Sequence, residues 1–237
     1  MNQHAHSGGL PHLQRAALVA LALFSLLAAG CAPGAGSGHP GVTGLRQKNA
    51  DTLVANQNLT SAIRALNGDG TINVVVEVPA GTNEKWEVNE AGVMVREFTG
   101  NAPRTIRYLP YPGNYGMVPR TFLDPKHGGD NAPLDAIVIG SAVPRGHVIR
   151  AYPIGMLRML DHGEQDDKIL AVRADSHFKN ALDIDELEKQ FPGSTLILKT
   201  WFSNYTGGND QIVLGFGSRA SALKMIQVAS EDFEARQ

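Results

Sequence analysis

The chain has 237 residues, 43% of them hydrophobic and 19% charged, with 21 Lys and Arg against 23 Asp and Glu. That composition suits one globular domain or two small ones and excludes wholesale disorder, a collagen-like repeat or a coiled coil. The near-neutral balance argues against a general nucleic-acid binder, and the single cysteine, Cys31, excludes an intrachain disulfide framework and a cysteine-rich zinc site.

Residues 1–15 are polar, and residues 16–29 (AALVALALFSLLAA) are apolar without a break. Such a run is short for a membrane span but suits the core of a signal peptide. It leads through Leu27-Ala28-Ala29-Gly30 to Cys31, which resembles a bacterial lipobox. The resemblance implies cleavage before Cys31, lipid attachment to that residue, and a place in the cell envelope, on the periplasmic or extracellular face. Losing residues 1–30 removes one of the 21 basic residues, Arg15, and none of the 23 acids, which leaves the rest at −3. Residues 31–69 read as anchor and flexible tether, rich in Gly, Pro, Ala and Ser to residue 45, with a short helix expected over Thr60–Leu66. The folded domain is expected over 70–237.

Thr71–Pro79 (TINVVVEVP) reads as a strand, with Val74, Val76 and Val78 on one face and Asn73, Val75 and Glu77 on the other. Lys85–Val88 is a second strand, with Lys85 and Glu87 opposite Trp86, and Gly92–Phe98 a third. Further strands are predicted over Asp135–Gly140, Val148–Leu160, Lys168–Val172 and Gln211–Phe216, separated by loops of Gly, Pro, Asp and Asn. Helices are predicted over Ile184–Phe191, over Thr195–Tyr205 with Ile197, Trp201 and Tyr205 in one stripe, and over Ser218–Arg236 with Leu223, Ile226 and Phe233 in another. Many short strands followed by helices point to an α+β, mainly β fold: a small barrel with helices packed outside.

Six acids fall at strand ends or in Gly-rich loops: Glu77, Glu87, Asp130, Asp135, Asp161 and Asp166. Crowded carboxylates repel, and hard divalent cations neutralise them. Interleaved with them are Lys85, Arg104, Arg107, Lys168, Tyr111, Tyr115 and Tyr205, donors suited to phosphate oxygens. Acids for metal and bases for phosphate are the inventory of metal-assisted phosphoryl transfer. Each residue alone has a blander reading as a solvated acid, a surface ion pair or a packed aromatic; their joint order along the chain carries the argument. His127, His147, His162 and His177 show no paired metal-ligand spacing and read as structural or exposed.

Glu77-x-Pro79, Lys85-Trp86-Glu87, Tyr111-Pro112-Gly113-Asn114-Tyr115-Gly116, Asp130–Asp135 and Asp161–Lys168, in that order, resemble the soluble, Mg²⁺-dependent (family I) inorganic pyrophosphatases from about residue 72 to 173, and more loosely to Tyr205. The resemblance implies a five-stranded OB-type barrel with flanking helices and hydrolysis of inorganic diphosphate to two phosphates. It implies Mg²⁺, with Mn²⁺ or Zn²⁺ as substitutes, on Asp130, Asp135, Asp161, Asp166 and, through water, Glu77. Lys85, Lys168, Tyr115, Tyr205 and one of Arg104 or Arg107 would hold phosphate oxygens, with Arg96 a weaker competitor. Glu87 would join the network, Tyr111 would tune the acids, and Asp130 would serve the reaction as well as the metal. A homo-oligomer is also implied.

The chain departs from the family at two places. The family carries Asp-Gly-Asp-Pro-x-Asp where this chain has Asp130-Asn131-Ala132-Pro133-Leu134-Asp135, so the middle aspartate, which helps accept the proton of the attacking water, is Ala132. The family often carries Tyr-Lys where this chain has Tyr205-Thr206. Asp124 and Asp167 are candidates to stand in for the missing base. These departures motivate the alternative of a non-catalytic phosphate- or metal-binding envelope lipoprotein on the same fold. A nucleic-acid-binding barrel is a third reading, disfavoured by the negative charge.

Overall fold

The computed structural model describes residues 44–208 and 210–236. Residues 1–30, read above as a signal segment, Cys31 and the start of the segment read as a tether lie outside them. From Arg46 on, the segment read as tether is folded. β1 (Arg46–Asn49) pairs with β2 (Thr52–Val54), and Leu59 and Ile63 are buried. Residues 60–66 form turns rather than the predicted helix: Asn58 Oδ1 accepts the N–H groups of Thr60 and Ser61, which gives the backbone a local alternative to a helix. The scattered Leu, Val and Ile there supply a small core with Trp86 and Met94.

β3 (Ile72–Val78) is buried along its whole length, so both of its faces are covered. Val74 and Val76 enter one core cluster, Val78 a second and Val75 a third. β4 (Trp86–Val88) pairs with β5 (Met94–Arg96), which also pairs with β2, and the predicted third strand breaks before β6 (Phe98–Thr99), which pairs with β7 (Ala102–Pro103). β8 (Asn114–Met117) was not predicted; it lies inside the Tyr-Pro-Gly-Asn-Tyr-Gly stretch. Gly116 is there for close approach: a Cβ on it would stand 1.9 Å from the Val75 carbonyl oxygen of β3. β9 (Asp135–Ile139), β10 (Val148–Asp161) and β12 (Lys168–Arg173) match their predictions within two residues, and β11 (Glu164–Gln165) folds back on the end of β10.

The pairings run in a circuit. β3 pairs with β8, β8 with β9, β9 with β12, β12 with β10, and the first four residues of β10 pair with β3. The far half of β10 pairs with β13 (Gln211–Ser218). All of these pairs are antiparallel except β9 with β12, which run parallel with Ile169 opposite Ala136. The described residues are therefore mainly β, with three α-helices among them: α1 (Ile184–Gln190), α2 (Ser194–Phe202) and α3 (Arg219–Glu234).

Two predicted helix stripes shift. α2 ends at Phe202, buries Leu198, Trp201 and Phe202, and leaves Ile197 61% exposed, while Tyr205 falls in the turn that follows. α3 lies against β10 and buries Ala222, Ile226 and Ala229, since small residues allow the closer approach; Leu223 and Phe233 flank that face. Asp232 continues the buried stripe because its carboxylate accepts from the Asp124 N–H at 3.2 Å and meets His127 Nδ1 at 2.7 Å. A buried carboxylate without such partners would be costly.

Candidate active site

Strand register gathers the site. β9 and β12 are parallel and in step, so their first residues, Asp135 and Lys168, stand at the same sheet end. Asp161 is the last residue of β10 and lies opposite Gln211, the first of β13. The tight turn after it, with φ of 50° at His162 and 88° at Gly163, returns the chain so that the Asp166 N–H donates to the Met159 carbonyl. Lys85, Glu97 and Arg104 are tied by their backbones: Lys85 N–H to Arg104 O, Arg104 N–H to Glu97 O, and Glu97 N–H to Lys85 O. The Asn114 side chain is buried, donates to Ser141 O and accepts from the N–H groups of Val143 and Ala80, which holds the Tyr111–Tyr115 segment in place.

A cavity of about 150 Å³ results, lined by Lys85, Glu97, Arg104, Tyr111, Tyr115, Asp135, Asp161, Asp166, Lys168, Phe202 and Tyr205. Nine of these residues were site candidates from sequence; Glu97 and Phe202 were not. The arginine left open resolves in position: Arg104 lines this cavity, Arg107 lines an adjoining one, and Arg96 pairs with Glu84 at 3.3 Å. Asp130 lies in a smaller cleft shared with Ala132, Asp135, Asp166 and Asp167, where its Oδ1 accepts the Ala132 N–H across a left-handed Asn131. Glu77 and Glu87 line neither. Glu77 is buried and accepts the Val88 N–H at 2.7 Å, while Glu87 is exposed on β4.

Neither proposed substitute base is free to act as one. Asp167, read as a surface residue, accepts from the Met159 N–H and from Gln165 Nε2. Asp124 accepts the Lys126 N–H and pairs with its ammonium at 3.3 Å, and lines neither cavity, although its neighbour Leu123 lines the smaller one. Both are occupied in turn and loop geometry.

Sequence reading missed Glu97 and Gln211. Glu97 pairs with Lys85 at 3.1 Å and with Arg104 at 2.6 Å. Its position in the hairpin that returns to Lys85 is the signal that was available. Gln211 is buried; its Nε2 donates to Asp161 Oδ1 at 2.6 Å and its Oε1 accepts from the Thr206 hydroxyl. Thr206 thus braces an acid of the site through Gln211.

The electrostatics follow from burial and pairing. Lys168 is 3% exposed, and its Nζ donates to Asp135 Oδ2 and Asp166 Oδ1, at 2.5 Å in each case. Burial alone would lower Lys168, but Asp135 and Asp166 more than offset it and hold the ammonium above its ordinary range. Lys85 is likewise raised against burial, by Tyr111, Glu77 and Glu97. Asp135 is held low despite burial by Lys168 and Lys85, whereas burial dominates at Asp166 and raises it. Burial pushes Glu77 up to about 8, against the pull of Lys85, and Tyr111 up to about 12. The aromatic wall is continuous: Tyr115 packs on Tyr111 at 5.3 Å, Tyr111 on Trp201 at 4.4 Å, and Trp201 stacks on Tyr205 at 4.8 Å.

Asp135, Asp161 and Asp166 offer hard carboxylate oxygens to one cavity, and that donor set fits a divalent cation of the magnesium class. The five acids named as metal ligands do not close into one cluster, and among the described residues no three His, Cys, Asp or Glu side chains do. Lys168 stands between two of them and supplies one positive charge against their two negative ones.

A mainly β molecule in which a buried lysine, a half-buried lysine and an arginine face strand-end carboxylates defines a class of protein built around one ionic cavity. The model of the inorganic pyrophosphatase family matches residues 74–234, and the chain belongs to that family. It is 34% identical over 188 residues to soluble inorganic pyrophosphatase 6, chloroplastic, of Arabidopsis thaliana, covering 70% of this chain and 61% of the relative. Among solved structures it resembles inorganic pyrophosphatase from Schistosoma japonicum at TM-score 0.69 and 26% identity, covering 77% of this chain and 75% of the other. It also resembles inorganic pyrophosphatase from Helicobacter pylori at TM-score 0.61 and 27% identity, covering 73% and 99%. The chain spans less than two thirds of the length of the curated relatives it matches first.

Proposed function

We propose that this protein hydrolyses inorganic diphosphate to two phosphates with the help of Mg²⁺. The observation that carries the reading is one cavity in which Lys85, Arg104, Lys168, Tyr115 and Tyr205 face Asp135, Asp161 and Asp166. The three aspartates would hold the cations, with Asp130 and Glu77 at the margin. Bound there, such ions supply positive charge to the diphosphate and lower the pKa of a water. Lys85, Arg104 and Lys168 take up charge on the phosphate oxygens, and Tyr115 and Tyr205 donate hydroxyl hydrogen bonds. Glu97 orients Lys85 and Arg104, and the aromatic wall keeps bulk water off that side. The strand circuit supports the OB-type barrel reading, with β13 and the helices outside it.

Phosphate release from diphosphate by residues 32–237 is expected to require Mg²⁺ and to stop with chelator. Metal-dependent diphosphate binding by calorimetry with no release at any Mg²⁺ concentration would instead support a binding protein. Exposed apolar side chains on α2 (Leu196, Ile197) and β13 (Ile212, Leu214) support a homo-oligomer.

The apolar run before Cys31 supports a lipid anchor in the cell envelope. Cys31→Ser in the full chain is expected to abolish incorporation of labelled fatty acid and to move the protein from the membrane fraction to the soluble one. Unchanged partition would overturn the anchor.

A further inference from the structure

Residues 123–132 form a loop that closes on itself. The Leu123 N–H donates to the Ala132 carbonyl at 3.1 Å, the Asn131 N–H to the Leu123 carbonyl at 3.2 Å, and the Gly129 N–H to the Asp124 carbonyl at 3.2 Å. The closure is tight at Gly129, where a Cβ would stand 2.1 Å from the Leu123 carbonyl oxygen. Asp130 rides on this loop. Asp135, by contrast, starts β9 and accepts from Lys168, and Asp166 is held through its own N–H and through Lys168. Among the described residues, every hydrogen bond that the loop makes beyond itself ends on one side chain, Asp232 in the last turn of α3. Asp232 is buried, and its Oδ2 accepts the Asp124 N–H at 3.2 Å and meets His127 Nδ1 at 2.7 Å. The stretch just before the loop is fixed to the same helix end: the Phe122 N–H donates to the Ala229 carbonyl at 2.8 Å, and the Arg236 guanidinium lies 3.6 Å from the centre of the Phe122 ring. The base of the loop is thus fastened on α3, and its body is fastened there by Asp232.

Resting on the reading of Asp130 as a cation ligand of the diphosphatase site, we propose that Asp232 is a positioning residue for Asp130. It pins the loop so that the Asp130 carboxylate already stands in the cleft with Asp135 and Asp166 before a cation binds. A loop closed on itself moves as one piece about its base at Leu123 and Ala132. Without the two bonds to Asp232, its place would have to be fixed at the moment of binding, and that ordering would weaken the affinity. Asp232 lines neither the cleft nor the main cavity, so it reaches the site only through the loop.

The test is Mg²⁺ binding to the full chain by calorimetry, without diphosphate, in the native protein, Asp232→Ala, Asp232→Asn, Asp130→Ala and the double variant Asp130→Ala with Asp232→Ala. Asp232→Ala is expected to weaken Mg²⁺ binding by about 10- to 100-fold, the usual worth of a group that holds a metal ligand in place. Asp232→Asn should lose less, because an amide oxygen still accepts the Asp124 N–H, and it carries the test if the alanine variant does not fold. In the Asp130→Ala chain, Asp232→Ala should change the affinity no further, whereas a residue that only stabilises the fold would weaken binding in both backgrounds. With diphosphate present, Asp232→Ala should raise the Mg²⁺ concentration for half-maximal hydrolysis and leave kcat at saturating Mg²⁺ little changed. Native Mg²⁺ affinity in Asp232→Ala or in Asp130→Ala, or an equal loss with and without Asp130, would overturn the inference and leave the diphosphatase reading intact. A native chain that binds Mg²⁺ but hydrolyses no diphosphate would remove that reading alone, since the affinities still decide what Asp232 does. One that does neither would remove both.

Discussion

Ala132→Asp is expected to raise kcat for diphosphate by about 10²- to 10⁴-fold at saturating Mg²⁺, the usual worth of general-base assistance. Position 132 faces the small cleft together with Asp130, Asp135 and Asp166, next to the main cavity. The carboxylates already there are each engaged: Asp130 Oδ1 accepts the Ala132 N–H, Asp167 accepts from Met159 and Gln165, and Asp135 and Asp166 each give one oxygen to Lys168. A carboxylate placed among these acids would have its pKa raised by their charge, which brings it nearer to the working pH of a base. The gain should appear in kcat with little change in KM, and the pH–rate profile should acquire an acid limb from the new group. Position 132 is half-exposed, so the substitution leaves the core untouched. An unaltered kcat would mean that proton removal from water does not limit this chain, and that its site works on charge placement alone.

Much of this arrangement was legible in the residues. β3 announced itself through its run of Val and β4 through the alternation around Trp86, and the acids and bases stood in a recognisable order. The rest depended on partners far along the chain. The parallel pairing of β9 with β12 sets Asp135 beside Lys168 across 33 residues, and no local periodicity encodes it. Residues 46–66 looked like linker because their apolar residues are sparse, yet Leu59 and Ile63 are enough to close a small core with Met94. β8 is short and glycine-containing, so its strand character comes from neighbours on both sides rather than from propensity. Glu97 and Gln211 escaped notice because each acts on the site through another side chain. The spacing of the carboxylates does not show how they divide in space: the fold gives Asp135 and Asp166 a lysine partner, sets Asp130 in an adjoining cleft that shares those two acids, and leaves Glu77 outside the lining of both.

Lys168→Met should produce the largest loss of both stability and activity. The lysine is buried and is the shared hydrogen-bond donor to Asp135 and Asp166. Removing one partner of a buried ionic group leaves charge uncompensated and typically costs about 3–5 kcal/mol. The pH dependence has a definite sign. With Lys168 present, Asp135 is held below its ordinary value, so its contribution exists above the unfolded pKa and fades as pH falls through the folded one. Without Lys168, burial and the neighbouring Asp166 would raise Asp135 above its unfolded value. Its penalty would then grow as pH rises past about 4. Urea unfolding should therefore show the variant most destabilised at pH 8 and closer to the native chain at pH 5. Mg²⁺ should narrow the deficit at pH 8, because an ion that binds only the folded carboxylates stabilises by mass action. Diphosphate hydrolysis should stay low even with Mg²⁺, since a phosphate contact is gone as well as a counter-charge. A deficit independent of both pH and Mg²⁺ would assign the lysine's worth to the packing of its methylenes and remove the ionic account of this cavity.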